Sequence, residues 1–472
     1  MRMDSFLPRA ATTDLQEMIA GLAGSMTGEI RPTDADPLIS MIQPIVLPAG
    51  AVLLSERRRD APSFAISIWF PLGSRNEAPE TRGFVHFLEH MLFKGTGKHD
   101  AYTLWRTIER TGGYANGFTE RDGLCVYFCV PAAEWRLATE LIAEVAFNST
   151  FPVEEFHREK QVILAEIAQV EDDIEETAFD AFLERFWPDQ QVAKPIAGSR
   201  ADVEAVDRER LFAFYQQSIT PESAVIAASC DYDIDFFAEA MNDAILRALL
   251  IGAPASATDA ATRNIFIPPS RTPVAKDFRG YTRASSSQAY YFEALQLDPP
   301  LTAHDFFCLG VVNGVLGEAS TSRLFQKVRE KSGLAYAVQS SLSFAKTEAL
   351  LLIQAATESP KLSECLSAVE GEMGEFLSLG LTEEELAEAK SRLSGSFLLS
   401  MEDPESRIRR LASWYFLSGA IPDVREEMES YLAVGRDEIS HMLGRLSLAP
   451  RGRYVYGSVK ASAARTLGFK EI

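Results

Sequence analysis

The sequence predicts an α+β fold of two homologous lobes, each a mostly antiparallel sheet packed with helices. An internal repeat is the first observation: residues 104–115 (LWRTIERTGGYA) match residues 324–335 (LFQKVREKSGLA) after a shift of 220 positions. A looser match pairs residues 152–160 with residues 382–390. Strand-like and helical stretches are mixed in both halves, which is the second observation. We infer an internal duplication with one lobe per copy.

Four stretches justify the predicted elements in chain order. Residues 63–69 alternate between polar and apolar, as a half-buried strand does. Gly112 and Gly113 end a helical stretch, and the strand that follows alternates at Leu124, Val126, Phe128 and Val130. Further on, residues 349–355 are mostly apolar and predict a strand, and residues 383–399 have helical spacing.

The predicted domain limits follow composition. Residues 1–36 form a loosely ordered extension, and residues 37–250 form the first lobe. Residues 251–273 are rich in Ala, Pro, Ser and Thr and predict a linker, and residues 274–472 form the second lobe.

The most informative motif is H-x-x-E-H at His86, Glu89 and His90. On a helix the two histidines are four residues apart and share one face, so two imidazoles can converge on a tetrahedral metal ion. Glu89 lies one turn from His86, within reach of a water molecule on that metal. The alternative is an ordinary helix face with a buried, hydrogen-bonded histidine.

A site with two histidines needs a third protein ligand. Residues 151–167 predict a helix that begins near Pro152, and its Glu159 and Glu166 are seven residues apart on one face. One carboxylate can bind the metal while the other orients a ligand. The alternative is a solvated acidic stripe.

Together, these segments resemble the pitrilysin or inverzincin zinc metallopeptidases, and among them the branch of short subunits similar to mitochondrial processing peptidase. The resemblance is carried by GSRNE at 73–77, GFVHFLEHMLFKGT at 83–96 and REKQVILAEI at 158–167, and it extends over almost all of the chain after Asp36. It implies one zinc ion per chain held by His86, His90 and Glu166. It further implies that Glu159 is a supporting carboxylate and Glu89 the general base of an endopeptidase.

The resemblance also implies how a peptide is held. Ala115 and Asn116 would lie on an edge strand that pairs with the substrate backbone, although Gly117 stands where alanine is usual. Arg329 and Tyr336 would bind the substrate backbone and the developing oxyanion. From the residues alone, the first segment is equally a plain hairpin and the second a plain helix end.

Composition limits the partners. A net charge of −21 argues against nucleic acid and anionic membranes, and it either favours basic or neutral peptides or serves solubility alone. Five cysteines without a C-x-x-C pair fit a reducing compartment, and no stretch of eighteen apolar residues occurs, so we expect a cytoplasmic protein.

The assembly and the function class stay open at this stage. A homodimer would complete two sites if Arg329 and Tyr336 act in trans, and a heterodimer with a degenerate homologous subunit is the other arrangement. The competing function is a non-catalytic scaffold or partner subunit of a peptidase-like complex. A zinc hydrolase without peptidase activity is the third possibility.

Overall fold

The computed structural model describes residues 42–252 and 273–472. The predicted N-terminal extension, residues 1–36, and residues 253–272 of the predicted linker lie outside these ranges. Residues 251 and 252, which we assigned to the linker, are the last two residues of a helix.

The first lobe is built on a six-stranded sheet with the order β1-β2-β6-β3-β5-β4. Its strands are β1 (Ile45–Val46), β2 (Val52–Arg57), β3 (Ser63–Phe70), β4 (Tyr114–Thr119), β5 (Leu124–Pro131) and β6 (Val225–Cys230). All neighbouring pairs are antiparallel except β2 with β6, which is parallel. Strand β4 therefore lies at one edge of the sheet.

Between residues 42 and 252, the first lobe also contains eight α-helices. They are α1 (Phe84–Leu92), α2 (Ala101–Glu109), α3 (Trp135–Phe147), α4 (Val153–Asp172), α5 (Ile174–Phe186), α6 (Arg200–Ala205), α7 (Arg208–Ser218) and α8 (Ile234–Gly252). Helix α3 packs on β3 and β5 and against α8, and α1 packs on α4.

The second lobe repeats this architecture, with the strand order β12-β7-β11-β8-β10-β9. Its strands are β7 (Phe278–Arg283), β8 (Gln288–Leu297), β9 (Ala337–Phe344), β10 (Ala349–Glu358), β11 (Arg451–Gly457) and β12 (Lys470–Glu471). Strand β7 pairs in parallel with β11, as β2 does with β6, and β9 occupies the edge position that β4 holds in the first sheet. The matching topology confirms two homologous α+β lobes.

The second lobe's helices include two short π-helical segments, Gly314–Glu318 and Phe325–Glu330. Its α-helices are α9 (Ala303–Asn313), α10 (Leu362–Leu379), α11 (Glu383–Ser400), α12 (Pro404–Ser418), α13 (Val424–Ala433), α14 (Arg436–Leu448) and α15 (Ala461–Thr466). None of the helices in the described ranges has both the length and the apolar character that crossing a bilayer requires.

The lobes exchange one helix each. Helix α12 of the second lobe packs on β3 and β6 of the first sheet, whereas α5 of the first lobe packs on β8 and β11 of the second. One buried cluster accordingly joins Trp69 and Tyr127 to Ile408 and Trp414, and another joins α5 to the second sheet. Each sheet therefore depends on the other lobe to cover one of its faces.

This exchange explains the burial of β5. The alternating residues Leu124, Val126, Phe128 and Val130 lie in the core of the first lobe, as their spacing predicts. The intervening residues Cys125, Tyr127 and Cys129 are also buried, in the cluster that contains α12. A strand with one predicted apolar face is thus covered on both faces.

Candidate metal centre

Helix α1 presents the motif on its only polar side. Its other residues, Phe84, Val85, Phe87, Leu88, Met91 and Leu92, are buried. Phe87 stacks on Phe156 of α4 with ring centroids 4.9 Å apart and nearly parallel planes, which fixes the two helices side by side. The remaining positions, His86, Glu89 and His90, then face the same side as the carboxylates of α4.

Three donor atoms converge there. The Nε2 atoms of His86 and His90 lie 4.0 and 3.5 Å from Oε2 of Glu166. All three donor atoms lie within 4.8 Å of one another. Tetrahedral zinc with ligand distances of about 2.0–2.1 Å separates its ligand atoms by about 3.3–3.4 Å, so a small contraction would bring this set to the required geometry. The donor set and its spacing therefore fit zinc.

Glu159 supports the second histidine. Its Oε2 is 3.0 Å from Nδ1 of His90 and its Oε1 is 2.7 Å from Nζ of Lys94. Because a carboxylate accepts here, Nδ1 of His90 carries the proton, and Nε2 keeps its lone pair for a metal. Although burial acts to raise the pKa of Glu159, its hydrogen bonds with His90 and Lys94 lower that pKa overall.

The two histidines differ in their electrostatics. Burial, followed by the charge of His90, lowers the pKa of His86 to about 4, which favours the neutral form that binds metal. Burial also acts to lower the pKa of His90, but the hydrogen bond with Glu159 and the surrounding carboxylates raise it overall. Nδ1 of His86 is buried and has no hydrogen-bond partner within the described residues.

Glu89 is held from the neighbouring sheet edge. Thr119 of β4 donates a hydrogen bond of 3.1 Å from Oγ1 to Oε2 of Glu89. Burial raises the pKa of Glu89, as does the charge of Glu166, while His90 and Thr119 act in the opposite direction. A methyl group on Gly117 would lie only 3.1 Å from Cγ of Glu89, so glycine leaves room for this carboxylate.

The predicted substrate strand is β4, and in the described part of the chain it pairs with β5 alone. Ala115 is buried opposite Phe128 of β5, whereas Asn116 is exposed. Oδ1 of Asn116 accepts a hydrogen bond of 2.9 Å from the backbone N–H of Gly117. The roles of both residues in holding a peptide stay predictions.

Arg329 and Tyr336 lie together in the second lobe. Arg329 is in the second π-helical segment rather than the regular helix we predicted, and its guanidinium carbon lies 5.7 Å from the centre of the Tyr336 ring. Tyr336 is 76% exposed. Across residues 42–252 and 273–472, neither residue forms a hydrogen bond or ion pair with His86, Glu89, His90 or Glu166.

Sequence reasoning missed three residues that hold this site: Lys94, Thr119 and Glu77. Lys94 and Glu77 fall within the segments that carry the family resemblance, but nothing in their spacing identifies their partners. Glu77 accepts hydrogen bonds from the backbone N–H groups of Gly83 and Val85 at the start of α1. Burial raises the pKa of Glu77 to about 8, although these N–H groups act to lower it.

Comparison with known families agrees with this geometry. A profile of the insulinase (peptidase family M16) domain matches residues 52–200, and a profile of the peptidase M16 inactive domain matches residues 205–393. The chain belongs to peptidase family M16. The predicted family is thereby confirmed, and the match to an inactive-domain profile agrees with a second copy that lacks the histidine pair.

Relatives of this M16 protein include proteins named zinc proteases. An uncharacterized zinc protease of Mycobacterium tuberculosis is 29% identical over 431 residues, which cover 89% of this chain and 96% of that protein. The uncharacterized zinc protease YmxG of Bacillus subtilis is 27% identical over 415 residues, covering 86% and 96%. These relatives support protease function in general terms.

Solved structures share the fold. A structure described as the peptidase M16 inactive domain of Pseudomonas fluorescens matches with a TM-score of 0.78 at 22% identity, covering 89% of this M16 chain and 98% of that one. A protease of Helicobacter pylori matches with a TM-score of 0.76 at 16% identity, covering 88% and 98%.

Proposed function

We propose that the protein is a zinc-dependent endopeptidase that hydrolyses peptide bonds in extended oligopeptides or unfolded segments. One observation carries the proposal: the convergence of His86, His90 and Glu166 beside the half-buried carboxylate of Glu89. A scaffold subunit has no need of such a set, because these polar groups are partly withdrawn from water without contributing to the core.

His86, His90 and Glu166 would hold one zinc ion per chain, with Glu159 fixing the orientation of His90. When bound, zinc would polarise the scissile carbonyl and lower the pKa of a water molecule toward neutrality. Glu89 would accept the proton of the attacking water and deliver it to the leaving amine.

The peptide would bind as an additional strand along β4 at Ala115 and Asn116, where outward-facing backbone groups of the strand would form the hydrogen bonds. Strand β4 is an edge strand, and its residue Thr119 already contacts Glu89, so a peptide paired with β4 would run past the general base. Main-chain pairing recognises extended segments of varied sequence, which fits an endopeptidase.

Arg329 and Tyr336 would stabilise the oxyanion from a second chain. We further propose a homodimer of the processing-peptidase-like type, in which each second lobe serves the partner's zinc. That arrangement agrees with the contacts of the described residues, in which neither Arg329 nor Tyr336 forms a hydrogen bond or ion pair with the metal residues of its own chain. Mixing inactive Glu89→Gln and Arg329→Ala chains should then restore about one complete site per mixed dimer. A confirmed mixed dimer without activity would exclude the trans arrangement and leave action in cis or a degenerate heterodimer partner.

The net charge and the cysteines bear on the proposed partners and location of the protein. The net charge of −21 disfavours nucleic acid and anionic membranes as partners. The five cysteines, all free and buried, support a cytoplasmic location.

A metal assay combined with a peptide-library digest tests the proposal. The wild-type protein should contain about one zinc ion per chain and cleave peptides in a chelator-sensitive way. Glu89→Gln should keep the zinc and lose cleavage, whereas Glu171→Gln, an exposed change on α4, should keep both. Cleavage by Glu89→Gln at the original rate would refute its role, and a metal-free, inactive wild-type protein would favour the scaffold function.

A further inference from the structure

The N-terminus of α1 is capped by a side chain that lies several residues earlier in the chain, that of Glu77. Gly83 precedes the helix with a positive φ of 77° and has no side chain to cap it. Instead, Oε2 and Oε1 of Glu77 accept hydrogen bonds of 3.0 and 2.8 Å from the N–H groups of Gly83 and Val85. Helix α1 has nine residues, too few to be stable alone, so its position depends on such contacts.

The turn that immediately precedes Glu77 contacts the second lobe through hydrogen bonds. Arg75, in the short 3₁₀ turn Ser74–Asn76, forms two hydrogen bonds with Glu348, of 2.6 and 3.2 Å. Its Nη1 also donates to Oγ1 of Thr347 at 2.9 Å. Thr347 and Glu348 belong to the turn between β9 and β10. The side chains of Arg75 and Glu348 are only 5% and 4% exposed, so this ion pair lies inside the boundary between the lobes.

The same turn also rests on the hairpin that follows the predicted substrate strand. The N–H groups of Ser74 and Arg75 donate to the carbonyl oxygens of Glu120 and Arg121, which lie between β4 and β5. Nε of Arg75 lies 2.8 Å from Asp122 of that hairpin. Three parts therefore meet at Arg75: the cap of the metal-bearing helix, the tip of the β4–β5 hairpin and the second lobe.

We propose that Arg75 and Glu348 are positioning residues through which the second lobe holds the start of α1, and with it His86 and His90, in metal-binding geometry. The inference rests on the proposed zinc function. A buried ion pair contributes little net stability compared with apolar packing, but it specifies geometry and is sensitive to the loss of one partner. Glu77 connects this turn to α1 by accepting hydrogen bonds from the N–H groups at the start of the helix. Near the other end of the helix, Glu159 is hydrogen-bonded to His90.

The chain offers a matched control. Glu56 of β2 and Arg407 of α12 form a second ion pair across the lobes, 2.6 Å long, with side chains 14% and 15% exposed. This pair does not involve the turn at Arg75. Glu56→Gln therefore weakens the contact between the lobes without touching the cap of α1.

The experiment compares zinc dissociation constants, measured by chelator competition, and melting temperatures for Glu348→Gln, Glu77→Gln and Glu56→Gln. We expect all three to melt at lower temperature. Zinc affinity should fall about 10-fold or more in the first two, the size typical of residues that orient metal ligands. In Glu56→Gln it should change by less than about twofold, as for an independent site. If Glu348→Gln folds poorly, Thr347→Val replaces it as a milder change. We expect Thr347→Val to lower both the melting temperature and the zinc affinity, as predicted for Glu348→Gln.

A double variant separates positioning from general weakening. If Glu348 acts through Glu77, the loss in Glu77→Gln/Glu348→Gln should be smaller than the two single losses combined. Unchanged zinc affinity in Glu348→Gln and Thr347→Val, or an equal loss in Glu56→Gln, would overturn the inference and leave the zinc function intact. A wild-type protein without zinc affinity would refute the proposed function and this inference together.

Discussion

Replacing Glu159 by glutamine tests how the second histidine is oriented. The carboxylate now receives the proton on Nδ1 of His90 and pairs with Lys94 at the same time. Glutamine has one acceptor oxygen and one NH₂ group, so it can satisfy only one of these two donors and turns a donor toward the other. His90 would then lose the constraint on its tautomer or on its ring orientation.

The expected magnitude follows from that geometry. Loss of a carboxylate that orients a ligating histidine weakens metal binding about 10- to 100-fold, equivalent to about 1.4–2.7 kcal/mol. Lys94 keeps some access to water, since its side chain is 26% exposed. Loss of its ion pair with Glu159 should therefore add little to the change in zinc affinity. Chelator competition at neutral pH measures the zinc dissociation constant, with Glu171→Gln on the same helix as the control. A Glu159→Gln protein that binds zinc as tightly as wild type would refute the proposed role of Glu159.

Three further predictions concern packing, pH and the space beside Glu89. Phe182→Ala should lower the free energy of unfolding by about 3–5 kcal/mol in urea titrations, because Phe182 is fully buried among Phe186, Phe278 and Phe292; the half-exposed Phe236→Ala should change it much less. Burial raises the pKa of Asp180 to about 6 against the charge of Arg121. The folded state therefore binds more protons than the unfolded state between about pH 4 and 6, and the free energy of unfolding falls as pH rises through that window. The difference in this free energy between wild type and Asp180→Asn, plotted against pH, should show the same slope, and a flat curve would contradict the prediction. Gly117→Val should displace Glu89 and lower kcat about 10-fold or more while zinc affinity is kept, and an unchanged kcat would show that the strand has room for a side chain.

The metal helix and the α4 carboxylates could be predicted from the sequence because their signal is local. Residues four apart on one helix share a face whatever the rest of the fold does, and the apolar residues around His86 and His90 indicate which side is buried. The second helix followed from Pro152 and from the helical spacing of Phe156, Ile163, Ile167 and Val170. The first three are buried, whereas Val170, near the end of α4, is 40% exposed. The repeat of residues 104–115 at residues 324–335, which aligns Gly113 with Gly333, similarly revealed the duplicated lobes.

The remaining features depend on contacts between distant segments. Nothing in the sequence of α5 indicates that its apolar face packs on the sheet of the other lobe, because apolar spacing shows that a face is buried but not which element covers it. Glu348 lies 273 residues from Arg75, and no periodic pattern links them. The π-helical segment around Arg329 was predicted as part of a regular helix, because π-helical turns are rare and the residues of this segment contain no signal that distinguishes one.

The exchange of α5 and α12 has a consequence for dissecting the molecule. If the gene is divided after residue 252, the first fragment loses α12 and exposes Trp69, Tyr127 and Ala227, while the second loses α5 and exposes Phe292 and Tyr454. Each fragment alone would carry a bare apolar sheet surface and tend to aggregate. Produced together, the fragments should reassociate, since each supplies the helix that the other lacks.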